Sequence, residues 1–150
     1  MISGDRAVGG VRIGHGTLAN ARAAFGAPSS VRTPSAQVCL GRWTSLGLTM
    51  RFLDFAGTAC RTGVLITATI TSRSAFRTTL GLRVGDSTAQ LRHLYPNARF
   101  RSDPSSGWTG YWLIPRRTCN EVGRLPYPGL LARVRAGRVT SVVAQTTACE

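Results

Sequence analysis

Gly10-Val11-Arg12-Ile13-Gly14 returns as Gly81-Leu82-Arg83-Val84-Gly85, 71 residues further on. The register then slips by one, and Thr17-Leu18-Ala19-Asn20-Ala21-Arg22-Ala23-Ala24-Phe25 matches Ser87-Thr88-Ala89-Gln90-Leu91-Arg92-His93-Leu94-Tyr95 at a spacing of 70. Self-similarity at a fixed period means that one structural unit is used twice. The units span about residues 7–75 and 76–150, within a single composite domain covering residues 1–150.

Each matched stretch reads as a turn followed by a short helix. Ser87 is a good N-cap and Gln90 completes a capping box, with Thr17 and Asn20 as a weaker version. Leu91, Leu94 and Tyr95 form one apolar stripe, as do Leu18, Ala21 and Phe25. Gly26 suits a C-cap and Pro96 cannot continue the second helix. About two turns of helix do not persist alone, so each must pack on something.

Strand patterns supply the support. Leu46, Leu48, Met50 and Phe52 alternate with Gly47, Thr49, Arg51 and Leu53, Val64, Ile66, Ala68 and Ile70 alternate with Leu65, Thr67, Thr69 and Thr71, and Gln37–Trp43 adds a third segment. In the second unit Leu130, Ala132 and Val134 turn through Ala136-Gly137 to Val139, Ser141 and Val143, and Trp108–Ile114 precedes this hairpin. The predicted class is α+β: two pseudo-repeats, each a short helix followed by about three antiparallel strands, forming one sheet with the helices on one face.

The R-[IV]-G turn, the capped helix ending in Phe25-Gly26-Ala27-Pro28 and the strand meander resemble the tandem-repeat fold of secreted β-lactamase inhibitor proteins. The same unit occurs singly in small outer-membrane-assembly lipoproteins. The resemblance implies a non-catalytic binding module whose curved sheet grips a partner. In the inhibitors one Cys pair per repeat staples the strands. No loop here matches their enzyme-blocking residues, so the resemblance supplies no target.

Cys39, Cys60, Cys119 and Cys149 lack C-x-x-C spacing or a paired His, which argues against zinc; no metal or other cofactor is expected. Two fall in each half, which suggests Cys39–Cys60 and Cys119–Cys149 among the three connectivities that four cysteines allow. Each bridge would close a loop of about 20 to 30 residues, worth roughly 3 to 4 kcal/mol. Disulfides imply an oxidising compartment, and the expectation is an extracellular or cell-envelope protein whose signal peptide is absent from this sequence. The alternative is four buried thiols. The longest apolar run, Gly63–Ile70, is too short to span a bilayer.

All 19 basic residues among the 150 are Arg, against 6 acids, for a formal charge of +13 and a pI near 11.6. Hydrophobic content of 43% describes a globular chain, not a basic tail. Residues 1–75 hold eight Arg and two acids, residues 76–150 eleven and four, so the charge is spread at +6 and +7. That favours a compositional habit over a dedicated basic arm, although excess Arg also attracts acidic partners. With His15 and His93 as the imidazoles and so few carboxylates, acid–base chemistry has little material, and the prediction is no enzyme. Gly14-His15-Gly16 with Ala19 formally matches G-x-G-x-x-A, but no parallel sheet follows it.

The candidate binding surface is Trp108, Tyr111 and Trp112 with Arg116, Arg117, Arg133 and Arg135, a mixture typical of interface centres. Trp108, Trp112 and Ile114 are expected on one side of the strand, Tyr111 and Leu113 on the other, unless a loop such as Asn120–Pro128 covers the strip. The expected partner is a protein or an anionic envelope polymer. The competing reading is a nucleic-acid-binding basic protein that stacks bases on aromatic residues.

Overall fold

A computed structural model of the chain describes residues 2–3, 7–73, 76–104, 107–115 and 129–146. In chain order the elements are β1 (Ile2–Ser3), β2 (Ala7–Val8), β3 (Val11–Arg12), α1 (Leu18–Phe25), β4 (Ser30–Ser35), β5 (Val38–Trp43), β6 (Leu48–Leu53), α2 (Ala59–Thr62), β7 (Val64–Ile70), α3 (Thr88–Leu94), β8 (Arg99–Asp103), β9 (Trp108–Ile114), β10 (Gly129–Arg135) and β11 (Arg138–Gln145). The last eight strands make one antiparallel sheet, ordered β4-β5-β6-β7-β11-β10-β9-β8, and β1 to β3 make a small sheet of three. The α+β class and the single large antiparallel sheet are therefore as expected. No helix of the described residues is long and apolar enough to cross a membrane.

Each helix-led run contains four strands rather than about three. The additional ones, β4 and β8, are the sheet edges. Ser30–Ser35 is exposed along its whole length, so it shows no burial alternation, and it contains Pro34, which an edge strand tolerates. Arg99–Asp103 carries a single apolar residue, Phe100.

The helices bury Leu18, Ala21, Ala59 and Leu91 in the same apolar cluster as Met50, Phe52, Ala68, Leu130 and Ala144, which places them on one side of the sheet. Helix entry differs in detail from the expectation. At Thr17 the capping box is complete: the hydroxyl accepts the Asn20 N–H at 3.3 Å and the Asn20 carboxamide oxygen accepts the Thr17 N–H at 2.9 Å. At Ser87 the cap is one bond, from the Gln90 N–H at 3.1 Å.

Both turns are tied into the sheet in the same way. The Gly14 N–H donates to the Leu65 carbonyl and the Leu65 N–H to the Gly16 carbonyl, each at 2.7 Å. The Gly85 N–H donates to the Val139 carbonyl at 2.7 Å and the Val139 N–H to the Asp86 carbonyl at 2.8 Å. At both places the strand is bulged. Phe52 faces Leu65 while Arg51 faces Thr67, and Val134 faces Val139 while Arg133 faces Ser141. Ile66 and Thr140 are thus the extra residues.

One extra residue reverses which side chains point inward. Leu65, not Val64 or Ile66, reaches the core, with no exposed surface. Val139 keeps its expected place beside Val134, but beyond Thr140 the inward residues are Val142 and Ala144, while Ser141 and Val143 turn away.

Cys39 of β5 is bonded to Cys60 of α2 across 21 residues, as expected. Cys119 and Cys149 lie outside the described residues. Before α2, Asp54 accepts the hydroxyls of Thr58 and Thr62 and the Ala56 N–H. These bonds, that from Thr62 first, hold its carboxyl below the usual carboxylate range.

Candidate functional site

The sheet face turned away from the helices can be read strand by strand from the pairing. One complete row runs Ser30, Arg42, Thr49, Thr69, Val143, Leu131, Trp112, Arg99. Beside it, Arg32, Leu40, Arg51 and Thr67 run across the first four strands, and Arg101, Gly110, Arg133 and Ser141 run across the last four. Arg135 and Arg138 pair at the end of the β10–β11 hairpin.

Every arginine of the eight strands, namely Arg32, Arg42, Arg51, Arg99, Arg101, Arg133, Arg135 and Arg138, takes this face by register. The only acidic residue of these strands is Asp103, the last of β8. Arg32, Arg42, Arg51, Arg99 and Arg101 are exposed, Arg133 is half-buried, and the ion pair among the described residues is elsewhere, Arg73 with Asp86 at 2.9 Å. Solvated faces ordinarily mix both signs of charge. This one carries eight arginines against one acid, Asp103, at the end of β8.

Trp112 sits at the centre of the second cluster. Arg99 lies directly across from it, and Arg101 and Arg133 are its diagonal neighbours on β8 and β10, at about 7 to 8 Å between backbones. Between those two arginines stands Gly110. A Cβ there would come within 2.4 Å of the Ala132 carbonyl oxygen, so the close approach of the β10 backbone requires the glycine. Arg99, Arg101, Trp112 and Pro115 line an open cleft of about 250 Å³. A second, of about 580 Å³, lies by Thr109, Arg133, Arg135 and Thr140.

Trp43 and Trp112 contrast. Trp43 is 2% exposed, its indole N–H donates to the Gly26 carbonyl at 3.0 Å, and Phe25 meets its ring edge-on at 5.9 Å. Trp112 is half-buried, and among the described residues its ring has no aromatic or cation–π partner and its N–H no acceptor.

The expected aromatic strip is divided by the fold. Tyr111 pairs with Ala132 and so lies on the helix side, edge-on to Phe100 at 5.4 Å. Leu113 is the extra residue of a bulge, which brings Ile114 to Tyr111's side opposite Leu130, so Trp112 and Ile114 no longer share a face. Trp108 pairs with Asp103 through its backbone. Arg133 joins Trp112 and Arg135 is exposed at the hairpin end, whereas Arg116, Arg117 and the segment 120–128 lie outside the described residues. Sequence reading missed Arg99 and Arg101. Their signal was the charged-aromatic-charged alternation Arg99-Phe100-Arg101, two arginines on one face of a strand.

Leu131 and Val143 are each 1% exposed although they face away from the main apolar cluster. The outer face is therefore closed at its centre in the second half, and open at the arginines around it.

The Gly14-His15-Gly16 turn spends its N–H groups on the Leu65 and Arg12 carbonyls, which suits helix entry rather than phosphate binding. His15 and His93 are both exposed.

No protein-family model and no curated protein matches the chain. Among solved structures it is similar to a DUF4309 family protein, YjgB, from Bacillus subtilis, with a TM-score of 0.56 at 15% identity over 92% of this chain and 83% of that one. It is also similar to an extracellular protein containing an SCP domain from Bacillus anthracis, with a TM-score of 0.47 at 12% identity over 87% of this chain and 43% of that one. At such identities the likeness to the first concerns the fold alone.

Proposed function

We propose that this is a non-catalytic binding module that holds an anionic polymer of the cell envelope on the sheet face away from its helices. The observation that carries the reading is the strongly cationic face, eight strand arginines with one strand acid. Guanidinium groups are weakly hydrated forks that match phosphate and carboxylate oxygens, so such a face favours a polyanion over an apolar protein patch. The Cys39–Cys60 bridge supports an extracellular or envelope setting, where phosphate- and carboxylate-bearing polymers are met.

We also propose that the two halves arose by duplication, as the resemblance to tandem-repeat inhibitor proteins implies. The paired Gly14–Leu65 and Gly85–Val139 hydrogen bonds and the bulge beside each support this.

Titration of the protein with poly(glycerol phosphate), an oligodeoxythymidylate and neutral dextran tests the function. The expected outcome is binding of the polyol phosphate that weakens roughly 100-fold between 50 and 200 mM salt, as about four neutralised phosphates require. The quadruple change of Arg42, Arg51, Arg99 and Arg101 to Gln should remove it. No binding of poly(glycerol phosphate), or tighter binding of the oligonucleotide, would overturn the reading, the latter in favour of a nucleic-acid binder.

A further inference from the structure

We propose that the cleft at Arg99, Arg101, Trp112 and Pro115 is a subsite for a sugar ring carried on the polymer, the ring lying on the Trp112 indole and the adjoining anionic groups on Arg99 and Arg101. This rests on the reading of the face as a polyanion surface and adds the chemistry of the repeating unit.

Three observations lead to it. Register places Trp112 on the arginine face, directly across from Arg99, whereas Tyr111 and Phe100 pair with each other on the helix side. Its ring and N–H have no partner among the described residues, unlike those of Trp43. Arg99 and Arg101 stand two residues apart on one face of β8, about 6.8 Å along the strand. That interval suits charges on successive units of an extended phosphodiester or uronate chain.

A flat ring on an indole could equally be a nucleobase, since stacking is tolerant of ring type. The Cys39–Cys60 bridge, formed where oxidising conditions hold, favours the saccharide.

The test compares poly(glycerol phosphate) with and without glucosyl substituents, and an oligodeoxythymidylate, on the wild-type chain, Trp112→Leu, Trp112→Phe and Arg99→Gln/Arg101→Gln. Circular dichroism and thermal unfolding check that each variant is folded. The wild type should prefer the glucosylated polymer about tenfold. Trp112→Leu should abolish that preference, Trp112→Phe should keep part of it, and the double arginine variant should weaken both polymers together. Equal binding of the two polymers by the wild type, or a preference that survives Trp112→Leu, would overturn the subsite and leave the polyanion reading standing. Binding of neither polymer would overturn both. Tighter binding of the oligonucleotide that depends on Trp112 would replace the sugar with a base.

Discussion

On the outer face the two halves of the sheet occupy the same lattice with different chemistry. Counting outward from the β7–β11 pair at the centre, Thr69 stands where Val143 does, Thr49 where Leu131 does, Arg42 where Trp112 does and Ser30 where Arg99 does. In the next row Arg32 corresponds to Arg101, Leu40 to Gly110, Arg51 to Arg133 and Thr67 to Ser141. The arginines on either side of the central position are kept, while that position itself changes from Arg42 to Trp112. The threonines of the first half are half-buried, and their apolar counterparts Leu131 and Val143 are shielded from water. A shared backbone frame thus carries one purely cationic surface and one that combines cations with an indole, which is why ligand discrimination is assigned to the second half.

The comparison can be broken first at the bulges. If Leu65 and Val139 are the equivalent inward residues, Leu65→Ala should cost about 2 to 5 kcal/mol and Ile66→Ala well under half of that, read from urea midpoints at constant slope. Equal losses would mean that the side chains do not change sides at Ile66, and the correspondence of the halves would fall.

Next in size is the staple. Cys39→Ser should remove about 3 kcal/mol, from a bridge closing 21 residues, and hydrogen exchange should rise in β5 and α2 before β9 and β10. Uniform acceleration across both halves would show that the bridge supports the whole sheet and not its own half.

The smallest effect expected is in acid. Because the folded-state pKa of Asp54 is lowered, its contribution is complete above the ordinary carboxylate pKa and is lost as pH falls through the lowered value. Asp54→Asn should flatten the stability profile below about pH 4 and leave its shape near neutrality unchanged. An unchanged acid limb in the variant would show that the Thr58 and Thr62 hydroxyls favour the charged form too little to matter.

Much of this fold was legible from side-chain period. Helices α1 and α3, the β10–β11 hairpin and the Cys39–Cys60 bridge follow from caps, turn residues and spacing. Strands β4 and β8 did not, because an edge strand has little to bury and so no alternation to display. The site was half legible. Trp112 and Arg133 could be named from composition, and a period of two already set Tyr111 on the other side, but it put Ile114 beside Trp112 because a bulge at Leu113 is invisible to it.

The sequence by itself determined that one motif recurs 71 residues on, that a capped helix follows each copy, and that charge is spread through both halves, since these depend on local propensity and on residue identity. Only the tertiary structure decided which arginines share a face and which aromatic residue joins them. Facing is set by strand pairing, and a single extra residue at Ile66, Leu113 or Thr140 changes the side on which everything after it lies.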